Sequence, residues 1–138
     1  MSHYRFVCPY PGVNVLLGRL GVEALERQGI DWQTLPRADA RTAHYFRETG
    51  HAIAPEFWGY WSSHGLELDG RRGASAGESL ALFGYPISEA QIETNASGDR
   101  VLTQWFERAR LEYHPTNPAP HRVLLGRLGA ELRDQHGR

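Results

Sequence analysis

Seven histidines and sixteen acidic residues are the groups with which this chain could hold a metal or move a proton. His44 and His51, seven residues apart around Glu48, would share one face of a continuous helix. Gly50 interrupts any such helix. His114 and His121 have the same spacing but lie in a proline-rich connector. Glu107 and Glu112 are five residues apart in a segment that reads as a strand, which places them on opposite faces and argues against a paired-carboxylate site. No Gly-x-Ser-x-Gly elbow, phosphate-binding loop or dinucleotide fingerprint occurs. Cys8 precedes Pro9, no neighbouring base marks it as a nucleophile, and a single cysteine closes no intrachain disulfide; it reads as a small buried hydrophobe. The residues therefore predict no catalytic group, no metal site and no cofactor.

Aromatic rings offer a different chemistry, because their faces stack on the C–H faces of sugars and on guanidinium groups. Trp58, Tyr60, Tyr85, Trp105 and Tyr113 are the candidate binding residues. Phe57 and Trp61, one helical turn apart, are assigned to the core, and Tyr60 points away from that stripe. Tyr85 stands between Gly84 and Pro86 in a turn. The run from Trp105 to Tyr113 alternates Arg and Glu and reads as the solvated face of a small sheet. Asn95-Ala96-Ser97 fits a glycosylation sequon.

These residues sit in a chain of 138 residues with a net charge of −1, 41% hydrophobic residues and fifteen aromatics. That composition excludes disorder. All 15 cations are Arg, balanced by 16 acids, so there is no basic excess for nucleic acid or an anionic membrane surface. No apolar run is long enough for a membrane span. The first residues lack an apolar export core, so the chain is either cytoplasmic or the mature part of an exported protein.

The strongest internal signal is a repeat. Val15-Leu16-Leu17-Gly18-Arg19-Leu20-Gly21-Val22-Glu23 returns as Val123-Leu124-Leu125-Gly126-Arg127-Leu128-Gly129-Ala130-Glu131, with eight of nine positions identical at an offset of 108. Arg5-Phe6 before the first copy rhymes with Arg110-Leu111 before the second. The chain thus reads as the tail of one unit (1–29, strand plus helix) followed by a complete unit (30–138), together forming one compact domain. Each copy predicts a helix, at about 14–28 and 121–135, with glycines that permit close packing. Between them, 34–41 is irregular, and a short helix starts near Pro55 and ends at Gly65. Residues 66–79 form a polar, glycine-rich loop. Two strands flank Asn95-Ala96-Ser97-Gly98-Asp99 as a hairpin, a third strand covers 108–113, and prolines 115, 118 and 120 stiffen the last connection. The predicted class is α+β: short helices packed on small antiparallel hairpins, repeat-derived.

Phe83-Gly84-Tyr85-Pro86-Ile87-Ser88-Glu89 and Phe106-Glu107-Arg108-Ala109-Arg110-Leu111-Glu112-Tyr113-His114-Pro115, with Trp61, Gly65 and Gly98, resemble the LGFP-like tandem repeat modules of secreted and surface bacterial proteins. The resemblance covers about 45–132 and, more loosely, 4–25. It implies a non-catalytic extracellular or cell-surface module, its export signal removed, that binds a cell-wall or extracellular polysaccharide. It assigns no catalytic residue. The half-unit at the N-terminus suggests an alternative: a structural protein that self-assembles head to tail into an extracellular polymer or filament. Leu16, Leu20, Leu124 and Leu128 would be its contacts. The half-unit could equally pack within its own chain.

Overall fold

A computed structural model describes residues 5–7, 16–66, 74–128 and 131, with 5–7 and 16–18 described as backbone only. It is an α+β structure. Its elements in order are strands β1 (Arg5–Val7) and β2 (Leu16–Gly18), helix α1 (Leu20–Arg27), strands β3 (Tyr45–Phe46) and β4 (His51–Ala52), helices α2 (Pro55–Ser63) and α3 (Ala76–Phe83), and strands β5 (Gln91–Thr94), β6 (Arg100–Trp105), β7 (Arg110–Tyr113) and β8 (Val123–Leu125). β1–β2 and β3–β4 are two-stranded antiparallel pairs, and β5-β6-β7-β8 is a four-stranded antiparallel meander.

The single helix expected over each nonapeptide is corrected. Both copies begin as a strand and turn helical only at their second half. β2 pairs with β1 through Phe6↔Leu17, and β8 pairs with β7 through Leu111↔Leu125. Helical bonding then starts alike, with the Glu23 N–H donating to the Arg19 carbonyl at 3.0 Å and the Glu131 N–H to the Arg127 carbonyl at 2.9 Å. The expected loop over 66–79 is also shortened. Ser75 and Glu78 form a reciprocal capping box that opens α3, which the glycine-rich composition conceals. Residues 67–73 lie outside the described part, as does Cys8.

The helix at Pro55 and the hairpin at 95–99 are found as expected. Pro55 occupies the first turn, where its missing N–H removes no helical bond. Asn95 closes the hairpin by accepting from the N–H groups of Ser97 and Asp99 at 3.0 and 2.9 Å.

The meander is covered on both faces. Leu111 and the half-buried Leu102, Tyr113 and Val123 join Ile53, Phe57, Trp61, Phe83, Phe106 and Ala109 in the larger core, to which α2 and α3 contribute. Phe57, Phe83, Phe106 and Leu111 are fully buried, each contributing about 1.5–3 kcal/mol. On the opposite face Trp105 packs with Val22, Ala24 and Leu25 of α1, and with Ile87 and Leu128. A polar pin ties β6 to β4 and to the segment before β5. The buried Gln104 donates to the carbonyls of Ala52 and Ser88, both at 2.8 Å, and accepts from the Ala54 N–H at 3.0 Å.

Helix α1 is seated against the turn at 106–109. The N–H groups of Gly21 and Val22 donate to the Glu107 carbonyl at 3.0 and 3.2 Å. Gly21 is so close to the turn at 106–109 that a β-carbon there would lie 1.8 Å from the Phe106 carbonyl oxygen. No helix among the described residues is long and apolar enough to cross a membrane.

Candidate functional site

The end of α3 sets the site. Gly84 adopts φ +81, a left-handed conformation that a side chain resists, and turns the chain into Tyr85. It also leaves room for Glu107, whose β-carbon a Gly84 side chain would meet at 2.6 Å. Glu107 is fixed through its backbone and its carboxylate. Its N–H donates to the Tyr85 carbonyl at 3.0 Å, and its Oε1 accepts from the Tyr85 N–H at 3.0 Å. Arg19, from the start of the first nonapeptide's helix, reaches Glu107 Oε2 with Nη2 at 3.2 Å. Arg108 lies on the other side, Nη1 at 3.8 Å from Glu107 Oε1 and 3.3 Å from the Leu80 carbonyl it donates to.

These groups line a cleft of about 440 Å³ with Gly77, Leu80 and Ala81. The Tyr85 ring meets Phe46 edge-on at 5.6 Å. Burial, then the nearby carboxylates of Glu48 and Glu107 and a hydrogen bond to Glu48, push the Tyr85 hydroxyl above its ordinary range, so it remains a protonated donor. The cleft is lined by one aromatic residue, the apolar Leu80 and Ala81, two arginines and one glutamate.

The other aromatic candidates are placed differently. Trp58 is half-buried, with His44 stacked on it at 3.8 Å and Trp61 stacked at 5.6 Å. Tyr60 does not stand clear of the core as expected: it packs against it, with His64 stacked at 4.0 Å and Phe83 at 5.8 Å. Tyr113 is half-buried against the larger core. Trp105 is only 3% exposed, its Nε1 donates to Glu93, and the Arg110 guanidinium lies 5.3 Å above its ring. The structure thus brings none of these four into the cleft with Tyr85. Of the self-association candidates, Leu128 is buried, Leu20 is half-buried against the smaller core, Leu124 is exposed, and the side chain of Leu16 lies outside the described residues.

The alternating charges are not a solvated face. Arg110 and Glu112 are 8% and 6% exposed. Arg110 makes a bidentate pair with Glu131 at 2.9 and 2.7 Å, and its Nε is 3.2 Å from Glu112 Oε2. Burial works against the Arg110 charge, yet the Glu131 and Glu112 carboxylates raise its pKa overall. Glu93, beside them, has its pKa raised above 4.5, chiefly by burial and against the opposing pull of the Trp105 N–H and Arg110. A raised acid favours folding at low pH and loses that contribution as pH climbs through its folded-state value. Glu93→Gln keeps an acceptor for Trp105 and removes the buried charge. Its stability relative to wild type should therefore rise from about pH 4 to about pH 7 in urea titrations; an unchanged difference would refute the assignment.

The described histidines do not assemble. His51 is buried, with Nδ1 2.9 Å from Glu89 Oε2, which also accepts the Ala52 N–H at 3.1 Å. His44 stacks on Trp58 instead. Among the described residues no group of His, Cys, Asp and Glu could hold a metal ion. Asn95, the sequon residue, uses its side chain to close the hairpin and to donate to Glu112 at 3.1 Å.

Sequence reasoning singled out Tyr85 but missed Arg19, Glu107 and Arg108 as its neighbours. The available signal was repetition: Arg19 belongs to a motif that the chain carries twice. No family model matches the chain, and neither a curated protein nor a solved structure matches it. The likeness to LGFP-like modules rests on the quoted motifs alone.

Proposed function

We propose that this chain is a non-catalytic extracellular or cell-surface module that binds a cell-wall or extracellular polysaccharide, with the Tyr85 cleft as its saccharide subsite. One observation carries the reading: Tyr85, the apolar Leu80 and Ala81, and the paired Arg19, Arg108 and Glu107 line one cleft of about 440 Å³, within the range of ligand pockets. A pyranose has matching chemistry. Its C–H face stacks on the Tyr85 ring above Leu80 and Ala81. Its hydroxyls accept from Arg19 and Arg108 and donate to Glu107. The motif resemblance supports the extracellular location.

Self-assembly keeps one supporting observation. The β8 edge carries Leu124 and Leu125, 37% and 46% exposed. α1 is packed against 106–109 of its own chain.

Tyr85→Ala tests the saccharide reading. Pull-down on purified wall and soluble polysaccharide should weaken at least about tenfold, equivalent to about 1.4 kcal/mol, with a much smaller change in melting. Retention at wild-type strength would reject the cleft as the subsite.

A further inference from the structure

Among the described residues, the large hydrophobic side chains that stand exposed are those of Ile92, Leu124 and Leu125. All three lie on the two edge strands of the meander: Ile92, 53% exposed, on β5, and both leucines on β8. Register fixes what those edges present, because antiparallel pairs alternate between hydrogen-bonded and non-bonded. At one end the Asn95 N–H donates to the Asp99 carbonyl, so Gln91 and Glu93 are the β5 residues bonded to β6. Ile92 and Thr94 therefore aim their N–H and C=O groups out of the sheet. At the other end the His114 N–H donates to the Arg122 carbonyl and the Gly126 N–H to the Arg110 carbonyl, so Leu124 is bonded to β7. Val123 and Leu125 aim their main-chain groups outward in the same way. Neither strand carries a Lys, Arg or Pro to guard its edge.

Each edge thus offers two outward residues at i and i+2, and the exposed Ile92 and Leu125 lie on the same face. Ile92 shares a row with Leu102, Tyr113 and Val123, and Leu125 stands two places along from Val123. In this meander β5 and β8 run in opposite directions. A second copy set beside the first in the same orientation lays its β5 antiparallel to β8, with the larger-core faces on one side. We infer that β8 of one copy pairs with β5 of the next, Leu125 opposite Ile92 and Val123 opposite Thr94, so that the meander runs on from copy to copy. Pairing of like edges would close a dimer; pairing of unlike edges gives open chains. The inference rests on the self-assembly reading rather than on the saccharide cleft, and it moves the contact from the repeated helix to the sheet edges. The paired strands are short, so association is weak and driven by concentration.

Sedimentation equilibrium of the full chain tests it. The weight-average mass should rise steadily up to about 1 mM without levelling at a dimer. Ile92→Lys blocks the β5 edge and Leu125→Lys the β8 edge. Both side chains are exposed, and an unchanged melting temperature checks that each variant folds. Each variant alone should stay monomeric, because its remaining edge has no complement. Mixed in equal amounts, the two should form a dimer and nothing larger, the open β8 of Ile92→Lys against the open β5 of Leu125→Lys. A mixture that stays monomeric, or a variant that dimerises alone, overturns the pairing of unlike edges. Association of both variants at wild-type strength assigns the contact to another surface, which overturns the edge pairing and leaves self-assembly standing. A wild type that stays monomeric at every concentration overturns both.

Discussion

Gly21→Ala should cost this protein about 3 kcal/mol of stability, seen as a fall in the urea midpoint at unchanged slope. The added β-carbon would sit 1.8 Å from the Phe106 carbonyl oxygen, 3.0 Å from its carbon and 3.2 Å from the Ala109 carbonyl oxygen. All three are backbone atoms, so no side-chain rotation relieves the overlap. α1 must lift away from the turn at 106–109. It then loses the two N–H bonds to Glu107 and carries Arg19 away from the cleft. The variant should therefore also lose saccharide binding. Gly59→Ala is the control. Nothing lies within 4 Å of its added carbon, and inside α2 alanine is favoured by up to about 1 kcal/mol. A Gly21→Ala protein as stable as wild type would show that α1 is not docked as described.

Arg110→Met should be comparably damaging, about 3–4 kcal/mol. The methionine fills much of the volume over Trp105 but leaves the nearly buried Glu112 without its 3.2 Å partner and Glu131 without its bidentate one. Removing one member of a buried ion group strands the others, which costs more than the group as a whole contributes. Glu131→Gln alone should cost less, because Glu131 is about a third exposed. Combined with Arg110→Met it should be clearly non-additive, with a coupling of about 1 kcal/mol or more. A loss under about 1 kcal/mol for Arg110→Met would mean that water reaches the cluster and screens it.

Local sequence carried the hairpin at 95–99 and the helix at Pro55, because their turn and capping residues act within a few positions. It did not carry the nonapeptide's true conformation. Val-Leu-Leu is a short apolar run that suits a strand or a helix. The choice is made by pairing with Phe6 in one copy and Leu111 in the other. Gly18, costly in a helix, was the local hint. The Ser75–Glu78 capping box was readable but hidden among glycines. Tyr85 was legible because Gly84 and Pro86 force a turn. Its partner Arg19 was not, since it reaches Glu107 across 88 positions of sequence. Trp105 and the Arg-Glu run misled for one reason. A lone antiparallel sheet leaves one face to water, whereas here α1 and Leu128 lie against the second face and turn exposed candidates into buried ones.

The central claim is that a saccharide binds at the Tyr85 cleft, where Arg19 beside α1 meets the turn at 106–109. Amide chemical shifts of the isotopically labelled protein, followed during titration with soluble polysaccharide and with solubilised wall fragments, test it most directly. Saturable shifts concentrated at Gly77, Leu80, Tyr85, Glu107 and Arg108, with Arg19 moving in step, are the predicted result. Shifts confined to Leu124 and Leu125 on the β8 edge, or none at saturating probe, would contradict it.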